Sequence, residues 1–212
     1  MHLDHISFAA GPDGLTATAA RLGEALGATF LDGGIHPRFG TRNMILPLKN
    51  QRYLEVVEVL EHPAAEKVAF GQLVRSRSEA GGGWMGWAVA VSDLSPVEKR
   101  LGRHAVAGNR RRPDGFSLEW LQIGTSDKLR DPQLPSVTQW ITGPEEHPSR
   151  MAEPQVSLVG LDIAGNRDFV ANWFDVTDTS ALEDVDFRWV APNGAPGILA
   201  AEFDTPLGLV TI

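Results

Sequence analysis

The chain has 212 residues, of which 42% are hydrophobic and 22% charged, with a formal net charge of −8. That is ordinary for a soluble globular protein with a real core, and the acidic balance argues against nucleic acid as the main partner, since phosphate binding needs clustered cations. The absence of cysteine excludes disulfides, thiolate metal sites and cysteine nucleophiles, and no run approaches the roughly 18 apolar residues of a membrane span.

The N-terminus, MHLDHISFAAG, has no basic region followed by a long apolar run, so no secretory signal and a cytoplasmic location are expected. Residues 3–9 alternate as a strand, with Leu3, His5, Ser7 and Ala9 expected on one face and Ile6 and Phe8 on the other. Asp13 is placed to cap a helix with an apolar stripe of Leu15, Ala19, Leu22, Ala25 and Leu26, stopped at Gly27. A short strand is expected around Thr29–Gly33, then strands at Thr41–Leu48 and Arg52–Leu60 joined by a turn at Lys49-Asn50. His62-Pro63 opens a helix expected to run to about Glu79, ended by Gly81-Gly82-Gly83.

From Trp84 the pattern restarts. A strand, WMGWAVAVSD, precedes a helix whose Ser95-Pro96-Val97-Glu98 reads as a capping box. Strands follow near His104–Asn109, Phe116–Ile123 and Ser136–Thr142, and the basic run Arg110-Arg111-Arg112 before Pro113-Asp114-Gly115 reads as a solvated turn. After the loop GPEEHPSRMAEP comes a third, looser series. It has a strand at Val156–Ile163, a helix capped by Asn166, and strands near Val185–Val190, Ile198–Asp204 and Leu209–Ile212.

The organisation expected is therefore an α+β fold of repeated βαβββ modules. Residues 1–62 form a first module, 63–83 a connecting helix and glycine hinge, 84–143 a second module, and 155–212 a third, partial one packing on the pair. No nucleophile elbow, phosphate-binding loop or metalloprotease helix motif is present.

The repeat, the opening LDHISFAA, His36-Pro37 with Gly40-Thr41-x-Asn43, the strand Tyr53-Leu54-Glu55, and Gly86-Trp87-Ala88, Gln139-Trp140 and His147-Pro148 resemble the vicinal oxygen chelate superfamily. More narrowly, they resemble its glyoxalase-like domain group. The resemblance implies two modules whose curved mixed sheets pair into a cup, the glyoxalase/bleomycin resistance/dioxygenase-like fold. It also implies metal ligands from the first and last strand of each module, which fall here on His5 and Glu55, and on Gly86 (or Trp87, one residue along) and Gln139. Neither glycine nor tryptophan ligates a metal through its side chain, and glutamine is a weak neutral ligand, so the four-ligand set is broken.

The candidate site is accordingly His5 and Glu55 as catalytic and metal-binding residues, with His36 as a third ligand or a substrate contact. Thr41, Asn43, Trp87, Gln139 and Trp140 are candidate substrate contacts. Glu55 and Glu58 lie on opposite faces of one strand, and the resemblance selects Glu55. His147 lies in a polar loop from which it can close over the cup, and exposure is the blander expectation. His2, His62 and His104 have no supporting constellation.

The cofactor expected is one divalent ion (Zn, Ni, Mn or Fe) acting as Lewis acid, or none. The ligand is a small molecule, with neither nucleic acid nor membrane as partner, in a monomer or homodimer. An isomerase, lyase or dioxygenase-type enzyme and a metal-free sequestering protein of the drug-resistance type are the two functions in view. A structural domain without a polar pocket is a third.

Overall fold

The computed structural model describes residues 1–174, 182, 184–191 and 194–212. The first half runs β1 (His2–Ala9), α1 (Leu15–Leu26), β2 (Leu31–His36), β3 (Thr41–Leu48) and β4 (Arg52–Val59). Two helices, α2 (Pro63–Lys67) and α3 (Ala69–Glu79), lead to β5 (Gly83–Ala90), α4 (Ser95–Leu101), β6 (Val106–Arg111), β7 (Ser117–Ile123), α5 (Thr125–Arg130) and β8 (Ser136–Trp140). The expected single helix after His62 is split because Val68 is extended, with φ −110° and ψ 142°.

These eight strands close into a barrel in the order β1-β4-β3-β2-β6-β7-β8-β5. Within each half the first and last strands are parallel, β1 with β4 and β5 with β8, which requires the crossover helix the repeat supplies. The halves join where β1 runs antiparallel to β5 over seven paired positions, and more thinly where β2 meets β6 at Ile35 and Arg111. The cup of paired modules is thus a closed, curved mixed sheet.

Outside it lies a four-stranded sheet, in the order β10 (Asp186–Val190), β9 (Ser157–Ala164), β11 (Gly197–Thr205), β12 (Gly208–Thr211), with α6 (Arg167–Phe174) between β9 and β10. The third segment repeats the order of element types but not of strands. Here the first strand pairs with the second in parallel and with the third antiparallel, whereas in each barrel half it pairs with the fourth. It is a different topology built from a similar sequence pattern.

One continuous core joins barrel and sheet. Leu3, Ile6, Leu54, Trp87 and Val89 from the barrel's outer face pack with Leu158, Leu161, Phe174 and Phe203. Outward apolar residues are thereby removed from water, each worth about 2 kcal/mol, while the inward face is left for polar groups.

Two expected caps are replaced. The α1 N-terminus receives its acceptor from Glu58, whose Oε1 takes the Leu15 N–H at 3.1 Å, while Asp13 turns to Thr18 and Arg21. At α4 it is Asp93, two residues before Ser95, that accepts from the Ser95 N–H and hydroxyl at 2.9 and 2.7 Å. No helix among the described residues is long and apolar enough to cross a membrane.

Candidate active site

The interior of the barrel holds a small cavity of about 40 Å³ lined by His5, His36, Asn43, Tyr53, Glu55, Arg110, Lys128 and Trp140, among others. Its outer rim, at Phe39, Phe70, Gln122 and Thr125, is shared with a broader open cleft of about 500 Å³.

β1 sets the chemistry through a bulge. Its pairing with β5 slips between Leu3 and His5, so Asp4 is the extra residue. Leu3 therefore joins the outer core and does not share a face with His5, as plain alternation predicts. Asp4 is carried to the side of His5, where its Oδ2 lies 2.7 Å from His5 Nδ1. Its Oδ1 accepts from Trp140 Nε1 at 3.0 Å and lies 3.1 Å from His147 Nε2. Burial alone would raise the Asp4 carboxyl, but the hydrogen bonds from His147 and His5 hold it well below the usual carboxylate range. His147 is thus docked against Asp4, Tyr53 and Trp140, not left exposed in a polar loop.

With Nδ1 turned to Asp4, His5 presents Nε2 3.8 Å from Glu55 Oε1, and its ring stacks on Tyr53 at 4.6 Å between centroids. Glu55 sits on β4 with both oxygens occupied. Ser7 Oγ donates to Oε1 at 2.7 Å and Asn43 Nδ2 to Oε2 at 2.9 Å. Burial pushes the Glu55 carboxyl up, yet the charge of His5 and those two hydrogen bonds bring it below its ordinary value. Glu58, one strand face away, pairs instead with Arg42 at 2.6 Å. The Tyr53 hydroxyl, buried and facing Asp4 and Glu55, is pushed well above its usual value.

His36 is the last residue of β2 and not part of a loop. Its Nδ1 lies 2.9 Å from Thr41 Oγ1, and Phe39, Phe70 and Trp120 surround the ring. Burial lowers its pKa to about 4, so the ring is neutral at pH 7. Thr41 is spent on orienting His36.

Two expected contacts point away from the cavity. Trp87 faces outward against Phe174 and Phe187 and donates to the Gln133 carbonyl at 3.1 Å. Gln139 faces α4, where its Oε1 accepts from the Leu94 N–H at 2.9 Å. On β8 it is Ser136, Thr138 and Trp140 that line the cavity, so Gln139 falls on the other parity.

On β5 the inward residue is Gly86, with φ +138°. A Cβ built there would lie 2.7 Å from Lys128 Cδ. Lys128 comes from α5, which is absent from the sequence-predicted elements, and is 2% exposed. It sends Nζ to Ser136 Oγ at 3.0 Å. Burial lowers its pKa to about 8 against the opposing pull of Glu55. Arg110 is also missing from the sequence reading of the site. The solvated turn expected at 110–112 is instead the end of β6, with Arg110 3% exposed and turned inward. Arg112 alone takes the turn role, paired with Asp114 and Glu146 at 2.6 and 2.7 Å.

The donor set does not fit a four-ligand divalent ion. His5 Nε2 and Glu55 Oε1 can face one ion, but the second half offers no ligand, since Gln139 faces α4 and Lys128 fills the space before Gly86. No group of three or more His, Asp or Glu suited to holding a metal occurs among the described residues.

A barrel closed from two βαβββ halves around a polar interior is the architecture of the vicinal oxygen chelate superfamily. Within it, the sequence pattern of the glyoxalase-like domain matches residues 3–177, and the chain belongs to that family. Among solved structures, a hypothetical protein from Staphylococcus aureus is similar at TM-score 0.67 and 18% identity, over 92% of this chain and 88% of that one. Methylmalonyl-CoA epimerase from Streptomyces coelicolor, in complex with 2-nitronate-propionyl-CoA, is similar at TM-score 0.44 and 18% identity, over 67% of this chain and 99% of that one. No curated protein matches.

Proposed function

We propose that the chain is a metal-independent, cytoplasmic enzyme that moves a proton at a carbon beside the carbonyl of a small molecule. The observation that carries this reading is the Asp4–His5–Glu55 arrangement. A buried carboxylate fixes His5 with Nε2 toward the cavity, 3.8 Å from a second base, Glu55.

In this reading Glu55 takes the proton, because its carboxyl is held ionised at neutral pH. Ser7 and Asn43 orient it and keep it from drifting onto the nearby cations. His5, with Nε2 3.8 Å from Glu55 Oε1, relays that proton or returns it on the same side of the substrate. The buried Lys128 ammonium supplies the positive charge at the oxygen where enolate charge develops, a position at which fixed charge in a dry site is effective. A base with a proton relay on one face of the substrate suits an isomerase more than a ring-cleaving oxygenase.

The test is hydrogen–deuterium exchange at the carbon beside the carbonyl of small 2-oxo and 2-hydroxy compounds, followed by proton NMR in D2O. Exchange by the wild type that falls by roughly 100-fold or more in Glu55→Gln, with Zn²⁺ or Ni²⁺ giving no increase, supports the reading. Exchange unaffected by Glu55→Gln, or binding without any exchange, overturns it and leaves a sequestering protein.

A further inference from the structure

The cavity wall carries more positive charge than its own residues consume. Glu55 is its one carboxylate, against Arg110 and Lys128 as cations, and both Glu55 oxygens accept from Ser7 and Asn43. A protonated Lys128 has three N–H donors, of which Ser136 takes one. Arg110 has a buried Nε with no partner, and its Nη2 reaches only the weak sulfur acceptor of Met151, at 3.9 Å. Among the described residues neither cation has a carboxylate within ion-pair distance. A buried cation with unspent donors is costly in the free protein, and that cost is relieved when an anion enters.

We propose that Arg110 and Lys128 form the anion-binding end of the cavity, and that the ligand is a small monocarboxylate. The proposal rests on the proton-transfer reading only in placing the reacting carbon next to that carboxylate. The unspent donors set the class: Arg110 Nε and two of the Lys128 N–H groups have no carboxylate partner among the described residues, which suits a ligand with one carboxylate. The size sets the scale, since about 40 Å³ holds on the order of three waters, the bulk of a very small acid. Any larger part of the ligand would extend past Phe39 and Phe70 into the open cleft.

The experiment is isothermal titration of the wild type, at fixed chloride and pH 7, with pyruvate and glycolate against pyruvamide and glycolamide. The acids are expected to bind at least roughly tenfold more tightly than the amides, the ratio a charge-assisted pair contributes. Lys128→Met and Arg110→Met should each remove that preference by weakening the acids by roughly tenfold more than the amides. Because Lys128 titrates near about 8, acid binding by the wild type should weaken as the pH rises past that value. Equal binding of acids and amides by the wild type, or binding of neither, overturns the proposal without recourse to a variant. Glu55→Gln separates the two readings, since it should retain the acid preference while losing exchange. An acid preference in a wild type that shows no exchange would sustain this proposal and sink the catalytic one.

Discussion

Asp4 Oδ2 stands 2.7 Å from His5 Nδ1 although the two residues are adjacent in one strand, a placement that regular β alternation forbids and the bulge allows. Asp4 also receives Trp140 and lies beside His147, so three rings are oriented by one carboxylate.

Replacing Asp4 by Asn should therefore act on both stability and chemistry. An amide presents an N–H where a donor now points, and the loss of a fully buried charge partner is expected to cost about 3 kcal/mol. Urea unfolding checks the first effect. The second is a shift in the pH profile of deuterium exchange, because His5 loses the group that fixes its tautomer. A profile identical to wild type would show that Asp4 is only structural.

His36 ties stability to mild acid. Its pKa is about 4 when folded against 6.5 as a free group, so the unfolded chain binds a proton that the folded one refuses. Stability from this group is complete above about pH 6.5 and is lost as the pH falls toward 4. The total is about 3 kcal/mol. Melting curves between pH 7 and pH 4 should show this slope, and His36→Phe, matched in apolar surroundings but unable to titrate, should flatten it.

Gly86→Ala places a Cβ at a φ of +138°, against the Lys128 chain. The backbone strain is expected to cost about 2 kcal/mol. The Lys128 side chain must also shift. The melting temperature should fall, and the preference for acids over amides should fall with it. Loss of stability with the acid preference intact would show that Lys128 does not act from this position.

Trp87→Ala supplies the contrast. Trp87 is 2% exposed, outside the barrel, among Phe174 and Phe187. The substitution should cost about 3–5 kcal/mol while ligand affinity, measured well below the melting temperature, stays within a factor of about two. A selective loss of affinity would place Trp87 in the site after all.

The barrel was legible because its inward and outward faces carry opposite chemistry. Alternation along β3 put Thr41 and Asn43 on one face, whereas along β4 it left Glu55 and Glu58 open and family resemblance picked Glu55. What stayed hidden has local causes. The bulge at Asp4 breaks the alternation from which inward residues were counted, and moves Leu3 outward. The helix bearing Lys128 reads TSDKLR, six residues with no apolar stripe, so nothing in its periodicity marks a lysine reaching into the core. Arg110 sits in RRRPDG, whose composition describes Arg112 and Asp114 correctly and conceals the strand parity that turns Arg110 inward. Gln139 failed by one position of that same parity, since its amide serves the α4 N-terminus.

The bulge in β1 has a kinetic side. An aspartate and a histidine that must meet usually arrive from separate elements, and their distance then follows every relative movement of those elements. Here a single peptide unit joins them. The β2–β6 contact, paired at Ile35 and Arg111, involves neither residue of the Asp4–His5 pair. The Asp4–His5 contact is thus independent of the contacts between strands.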